Sequence, residues 1–573
     1  MREGVILRQG SALLLRKGSI KKYVVPVSLA GIVGILWALP YLLPLMAGLA
    51  WFCPALLVLI AGSSNRLNPF QMGYLSGLYF NLAALYWFLN MPVFGAGILS
   101  WLCLSAYCAL FPAAWALFCW RMLPSVRPSK LAPSPLNQLF CRLVAMNWLQ
   151  RQLWALTGAA GWVAVEMLQS HLFTGFPWNL LAVSQIEMIP VIQLASITGV
   201  YGVSFLVCWV SISLLLAIGQ IANIPGQPFA WSREILPAGL VLVIIASVGF
   251  HRIQSAPKPS RNLRLALVQP SVDQTVIWEG TFAEERTEEL LRLSEQALTH
   301  KPHLLVWPES ALPASRDSQN IVTRFTSENG IPLIFNDLEI EETKDPETPL
   351  YFNSVFLVNG RGQLVGSARK RHLVMFGEYT PFAKQFPVLD SLSPIGSSLS
   401  SGTEPGILEL QQPSLSIGLL VCFEDAFPSL ARDLAREKPD LLVNLTNDAW
   451  FGRSLAQWQH AKVAAFRAIE TGLPLVRCSN NGITCWIDPY GRMNLGDLET
   501  PEDVYKSSFK VVNVPLPEND PDKSTTRYVS DGDLFGWLCV SIAFALLFVR
   551  ELFRVHGSSH DSNFDTDLAR DSH

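Results

Sequence analysis

Charged residues are scarce in this chain. Asp, Glu, Lys and Arg make up 16% of its 573 residues, whereas soluble globular domains carry about a quarter. Such a deficit is expected of a chain that sits largely in lipid. Positive charge in excess is missing too: the net charge is -3, so no global basic field argues for nucleic acid as a partner. The ten cysteines lack the pattern of a disulfide framework, and no CxxC pair or His/Cys cluster points to a metal. Cys53, Cys103, Cys108, Cys119, Cys208 and Cys539 fall in apolar runs, where a thiol is usually a small buried hydrophobe. Cys141 lies in a basic loop, which leaves Cys422, Cys478 and Cys485 in polar surroundings.

Long hydrophobic runs dominate instead. A spanning helix needs about 20 apolar residues. Candidates lie at 24–40, 42–62, 71–91, 96–120, 153–173, 192–219, 235–251 and 534–549. Arg2, Arg8, Arg16, Lys17, Lys21 and Lys22 precede the first run, which reads as a retained anchor because further spans follow at once. Arg66, then Arg127, Lys130 and Arg142, then Arg550 and Arg554 mark the ends that stay in the cytoplasm. Eight spans satisfy that distribution and put the long polar segment after the seventh on the opposite, external side. One missed span would invert it.

The expected organisation follows. Residues 1–23 form a basic cytoplasmic N-terminus, and 24–251 a bundle of about seven spans with a basic loop at 121–152. A linker at 252–260 leads to a catalytic domain over 261–516. A second linker at 517–533, a final span at 534–549 and a disordered tail at 550–573 complete the chain. Within 261–516, strand-like stretches at 263–268, 304–307, 333–336, 354–358, 416–421, 441–446, 475–479 and 484–488 alternate with helix-like stretches at 284–299, 428–436 and 456–470. That interleaving predicts an α/β sandwich.

Three residues there carry chemistry. The apolar run Ser416 to Val421 ends at Cys422, and Pro428 opens a helix soon after. A nucleophile at a strand-to-helix turn is exposed at the sheet edge, where backbone N–H groups can receive an oxyanion; a buried structural cysteine is the alternative. Glu309 stands two residues past the strand that ends at Trp307 and suits a general base, although a helix-start or surface Glu fits equally. Lys370, within Arg369-Lys370-Arg371-His372, can steady an oxyanion and a thiolate; as a run these residues also read as a solvated basic patch. Glu166 lies inside a hydrophobic span, where acids are costly and often functional, with an interfacial or helix-packing role as the other reading. His460 reads as a satisfied histidine. Cys478 and Cys485 flank Asn480-Asn481-Gly482 and leave a disulfide across a hairpin open.

Trp307-Pro308-Glu309-Ser310, Lys370 and Cys422-Phe423-Glu424, in that order, resemble the glutamate–lysine–cysteine triad of the nitrilase, or carbon–nitrogen hydrolase, superfamily. The spans, Thr174-Gly175-Phe176-Pro177-Trp178, Val268-Gln269-Pro270, Phe376-Gly377-Glu378-Tyr379, Asn447-Asp448-Ala449-Trp450-Phe451-Gly452 and Asn480-Asn481-Gly482-Ile483-Thr484 narrow the resemblance to the bacterial apolipoprotein N-acyltransferase family. It covers nearly the whole chain. The family often has Pro where Met375 stands, and Tyr where Phe423 stands. The second departure removes a phenol but leaves a backbone N–H.

The resemblance implies a multi-span α-helical membrane bundle carrying an extracytoplasmic nitrilase-like sandwich of αββα layers. It makes Glu309 the base, Lys370 the oxyanion partner and Cys422 the nucleophile. Glu378 and Glu424 support them, the Phe423 backbone is an oxyanion donor, and Trp278, Asn353 and Trp450 bind or gate substrate. It implies a phospholipid acyl donor, a diacylglyceryl apolipoprotein acceptor, a thioester on Cys422, contact with membrane lipid, and neither cofactor nor metal. It implies a monomer in the bacterial cytoplasmic (inner) membrane with its catalytic domain facing the periplasm. Two readings compete: an anchored amidase using the same triad on a small amide, and a transporter or receptor in which the triad is coincidence.

Overall fold

The structure, a computed structural model, describes residues 6–93, 95–124, 135–223, 230–313, 318–344, 349–382, 385–386, 398–496, 501–516 and 526–568. It gives backbone alone at 6–22, 135–137, 222–223, 278, 501–502 and 553–568.

Apolar composition makes the first part helical. Among the described residues, five helices are long and apolar enough to cross a membrane: Tyr23–Leu42, Ala96–Arg121, Val200–Ile221, Ser232–Gln254 and Leu534–Leu552. The pair Pro44–Trp51 and Cys53–Ala61, bent by 48°, makes a sixth if taken as one span. The sequence reading of eight includes two more segments that fall short of this standard. Helix Pro69–Ala84 has 16 residues, and Trp148–His171 carries Arg151, Gln152, Glu166 and Gln169 along its length.

Those polar residues are spent inside the bundle. The Arg151 guanidinium donates to Glu234 Oε1 at 2.7 Å, and Gln152 Nε2 to Glu234 Oε2 at 2.9 Å, which pins Trp148–His171 to Ser232–Gln254. Glu166 Oε1 accepts from Trp162 Nε1 at 2.8 Å and from the Leu181 N–H at 2.7 Å. The acid therefore anchors the 3-10 turn Leu181–Gln185 against its own helix, which is the helix-packing role.

The polar part is built from two six-stranded sheets. In chain order the strands are β1 (Arg261–Gln269), β2 (Leu304–Val306), β3 (Leu333–Glu341), β4 (Leu350–Val358), β5 (Leu364–Arg369), β6 (Ile407–Gln411), β7 (Ser414–Val421), β8 (Leu441–Thr446), β9 (Leu475–Ser479), β10 (Cys485–Ile487), β11 (Met493–Asn494) and β12 (Ser508–Leu516). Their orders are β12-β1-β2-β3-β4-β5 and β11-β10-β9-β8-β7-β6. Alternation along each strand assigns the faces. Leu263, Leu265 and Leu267 of β1 and Ile417, Leu419 and Val421 of β7 all lie in the apolar layer between the sheets. Ala266, Val268, Leu305 and Phe335 face outward against Leu290, Leu293 and Ala297 of helix Ala283–Leu298.

The second sheet is covered differently. Its outer residues Leu420, Leu442 and Leu475 pack on helices Pro428–Arg436 and Ala456–Thr471, and the same apolar cluster continues into Trp162, Ile192 and Val200 of the bundle. That helix layer is thus shared. The Val200 N–H donates to Glu470 Oε1 at 2.8 Å, and Trp178 Nε1 donates to Gln459 Oε1 at 2.8 Å across the same boundary.

Residues 517–533, expected as a plain linker, hold a short helix at Arg527–Asp531 whose Tyr528 is fully buried. Tyr528 packs on Gly199, where φ is +68° and any Cβ would lie 2.6 Å from the ring, so the exit from the domain is docked.

Candidate active site

Strand geometry makes the nucleophile turn. β7 is parallel to β8, with Val421 opposite Leu445, and both run buried to their ends. Cys422 is the next residue and has φ +54°, a left-handed conformation costly for a residue with a Cβ. The chain then passes through the 3-10 turn Cys422–Ala426 into helix Pro428–Arg436. Hydrogen bonds hold the turn. Asn444 Nδ2 donates to the Cys422 carbonyl at 3.0 Å. Glu424 Oε2 accepts from the Val421 N–H at 2.8 Å, while its Oε1 accepts from the N–H groups of Arg371 at 2.6 Å and His372 at 2.9 Å. Glu424 therefore joins the cysteine strand to the loop that follows Lys370. Burial pushes its carboxyl up, and Lys370 and the three amide donors only partly pull it back.

The first sheet supplies the other charges. Glu309 follows β2 and is 6% exposed; Ser310 after it has φ +60° and donates its N–H to Asn336 Oδ1 at 3.1 Å. The Asn353 side chain, on β4, donates to Glu309 Oε1 at 2.9 Å and to Glu378 Oε1 at 3.0 Å. Its own Oδ1 accepts from Asn336 Nδ2 at 2.6 Å. Lys370 Nζ lies 2.8 Å from Glu378 Oε1 and 3.6 Å from Glu309 Oε1. Glu378 Oε2 accepts from the Val374 N–H at 2.9 Å, which folds the loop back over the lysine. Glu309 Oε2 is buried and has no hydrogen-bond partner among the described residues.

The structure brings Glu309, Lys370, Cys422, Glu378 and Glu424 together. Burial alone would lower the Lys370 ammonium, but Glu378, Glu309 and Cys422 outweigh it and hold the ammonium well above its ordinary range. The Cys422 thiol moves up, first through burial and then through Glu309, with Lys370 and Thr446 opposing. The resting sulfur therefore keeps its proton, and a base must take it during attack. Burial, then Lys370, lowers His372 to about 4, so that ring is neutral at pH 7.

Asn353, grouped from sequence with the binding or gating residues, spends its amide on the two carboxylates. Trp450 is half-buried on the 3-10 turn Asp448–Phe451, and Phe451 beside it meets Trp87 of the bundle edge-on at 4.6 Å. The backbone of Trp278 ends helix Gln274–Trp278, which Asn447 tethers through Gln274 Oε1 at 2.8 Å; the Trp278 side chain lies outside the description. Phe423 faces Phe176 and Trp178 at 6.1 and 5.8 Å between ring centroids, so the motif 174–178 walls the nucleophile turn with aromatics from the bundle. Phe382 and Phe386 are exposed, whereas Trp458 packs against the core.

Sequence reasoning missed Thr446, Asn444, Asn336, Asp425 and Arg477 as parts of this neighbourhood. His460 is a fully buried core histidine, 2.8 Å from both Asp425 and Asp448. Cys478 and Cys485 are free. β9 and β10 pair Cys485 with Arg477, so Cys478, the next residue, points to the other face and no bridge can close. Among the described residues no group of three or more His, Cys, Asp or Glu could hold a metal ion.

Two family models match the chain: the apolipoprotein N-acyltransferase N-terminal domain over residues 33–213, and carbon–nitrogen hydrolase over 264–505. The apolipoprotein N-acyltransferase of Geobacter metallireducens is 34% identical over 86% of this chain and 89% of its own. That of Rhizobium rhizogenes is 30% identical over 76% and 79%. The solved Nit3 of Saccharomyces cerevisiae, a member of the nitrilase superfamily, covers 46% of this chain and 93% of its own at 19% identity, with a TM-score of 0.33.

Proposed function

The chain belongs to the apolipoprotein N-acyltransferase family, and we propose that it moves a fatty acyl chain from a membrane phospholipid to the α-amine of a diacylglyceryl-cysteine apolipoprotein, by ping-pong chemistry through a thioester on Cys422. One observation carries the reading: a buried carboxylate with a free oxygen, a buried ammonium and a protonated thiol share one site walled by aromatics of the helical bundle.

Glu309 Oε2 takes the thiol proton as Cys422 Sγ attacks the ester carbonyl. Lys370 and the Phe423 N–H steady the oxyanion. Glu309 returns the proton to the departing lysophospholipid oxygen, leaving the thioester. The acceptor's α-amine, which in model compounds titrates at roughly 7.7–8.0, is partly neutral near pH 7. It attacks, Glu309 takes its proton and passes it to the expelled sulfur, and an amide remains. The amide is less reactive than the thioester, so the second half runs downhill. Water is the competing nucleophile, and the aromatic wall is suited to excluding it. Trp278 and Trp450 bind or gate substrate, and Glu378, Glu424 and Asn353 position the three reacting groups.

Labelled phospholipid mixed with the purified protein is expected to leave acyl label on the chain that survives denaturation and is released by hydroxylamine. Cys422→Ala and Cys422→Ser should abolish it, and a lipopeptide with a free amine should discharge it, while an amine-blocked one should not. Free fatty acid as the main product would point instead to an amidase-type hydrolase.

The proposed setting is the bacterial inner membrane. A monomer crosses it eight times, with the basic N-terminus and 121–152 in the cytoplasm and 261–516 on the periplasmic side. The five or six apolar helices support a membrane setting, and the Lys/Arg distribution supports the orientation. A phosphatase active only in the periplasm should work when fused after residue 260 and fail after residue 130. The reverse pattern would overturn this topology.

A further inference from the structure

Thr446 ends β8 beside Cys422 and is fully buried. Its hydroxyl carries one proton and faces two acceptors: Cys422 Sγ at 3.4 Å and Asp448 Oδ1 at 3.2 Å. A single proton cannot serve both fully. Which one it serves depends on the state of the sulfur.

Asp448 is held in place and charged. Arg477 Nη2 donates to its Oδ2 at 2.9 Å, and His460 Nδ1 lies 2.8 Å from its Oδ1. Burial would raise this carboxyl, but Arg477 and His460 hold it below its ordinary range. The group is tied back to the nucleophile turn as well, because His460 Nε2 lies 2.8 Å from Asp425 Oδ1 and Arg477 also pairs with Asp425. A Cβ on Gly482 would lie 2.4 Å from Asp448 Oδ2 and 2.7 Å from Ser479 Oγ. The Asn-Asn-Gly motif is thus packed directly on the aspartate, with no room for it to swing. The methyl of Thr446 restricts its χ1. The hydroxyl proton is the part of this chain of contacts free to turn.

We propose that Thr446 is a further catalytic residue: its hydroxyl donates to Asp448 while the sulfur holds its own proton, and turns to donate to the sulfur when that proton leaves. The inference rests on reading Cys422 as the nucleophile. No bond between heavy atoms changes in the turn. The S–H proton goes to Glu309, and the Thr446 O–H moves from a carboxylate that Arg477 already holds to a sulfur that has just become negative. The same donor meets the sulfur again when the second tetrahedral intermediate expels it. Charged groups face the sulfur from three sides: Glu309 after β2, Lys370 after β5 and Asp448 after β8. Of these, Lys370 is engaged with Glu378, whereas Thr446 is hydrogen-bonded to the sulfur itself.

The test compares Thr446→Val, which keeps the shape and suits a strand, with Thr446→Ser, which keeps the hydroxyl. Two quantities are read in the full-length protein: the single-turnover rate of acyl transfer onto Cys422, and the pH midpoint for alkylation of the Cys422 peptide, followed by mass spectrometry. A hydrogen bond to a charged group predicts that Thr446→Val slows acylation about tenfold or more and moves the alkylation midpoint up by about one pH unit. Thr446→Ser should stay within about threefold of the parent rate, the scatter of a single contact. Thr446→Ala, tested alongside, should behave as Val and covers the case in which Val fails to fold. An alkylation midpoint unmoved in Val and Ala, or equal losses in Ser and Val, would overturn the proposal. Because alkylation needs no lipid, a shifted midpoint without acyl transfer would count against the acyltransferase reading and leave the role of Thr446 standing.

Discussion

Lys370→Met is expected to lower acyl-enzyme formation by about a thousandfold, while Arg369→Ala and Arg371→Ala stay within a few-fold of the parent. Removing one preorganised oxyanion donor costs about 10²–10³ in rate. Here the loss is compounded. Lys370 is 2% exposed and lies between Glu309 and Glu378. Without it two buried carboxylates share the Asn353 amide and face each other uncompensated, so one of them must take up a proton. If Glu309 does, the base is lost as well. Breaking a buried pair from one side also destabilises by about 3–5 kcal/mol, so the variant should melt earlier. The neighbouring arginines do other work. Arg369 pairs with Glu339 and Glu341 at 2.6 Å and lies over Phe352; Arg371 pairs with Asp433 at 3.1 Å. All three pairs are partly exposed, where such contacts are worth about 0–1 kcal/mol. Acid-quenched thioester yield measures all three variants. Equal losses would make the run a basic patch and remove Lys370 from the mechanism.

Glu309→Gln should produce two changes of opposite sign. Loss of a general base predicts acylation slower by about 10²–10⁴. Yet Glu309 is, after burial, the largest influence keeping the Cys422 thiol protonated. A neutral amide of the same shape, still able to accept from Asn353, removes that push, so the thiol should alkylate at lower pH than in the parent. A sulfur easier to ionise but slower to acylate separates a base from a merely structural acid. An alkylation midpoint that stays in place or rises, or acylation within tenfold of the parent, would refute the assignment.

The site was readable from sequence only where function sits at the end of an element. Leu304 to Trp307 and Ser416 to Val421 are strong strand patterns, and Glu309 and Cys422 stand just past them, where side chains emerge from a sheet. Lys370 was found through its motif, since β5 was not: Leu364-Val365-Gly366-Ser367-Ala368-Arg369 is an edge strand with small and polar residues. The pattern of β12 is likewise broken, by Pro515. The proline pairs with Asn262 at the edge of the first sheet, where a missing N–H is tolerated. Thr446 and Arg477 could not be found along the chain. Their roles depend on β8 lying between β7 and β9 in parallel register, a relation across 24 residues for Thr446 and Cys422 that no local pattern encodes. Spans are harder to count than strands, because Trp148–His171 hides its polar residues in contacts with other helical elements.

The helix layer shared by the second sheet and the bundle makes the two halves a single unit of stability. A truncated protein beginning at Arg261 would carry Leu434, Phe466 and Ile469, all buried in the intact chain, on a raw flank with water in place of Trp162 and Ile192. It would also leave the Glu470 carboxylate stripped of its Val200 amide. Solubilising the catalytic half by amputation is therefore self-defeating: the cut exposes the surface on which the nucleophile's own helix is seated.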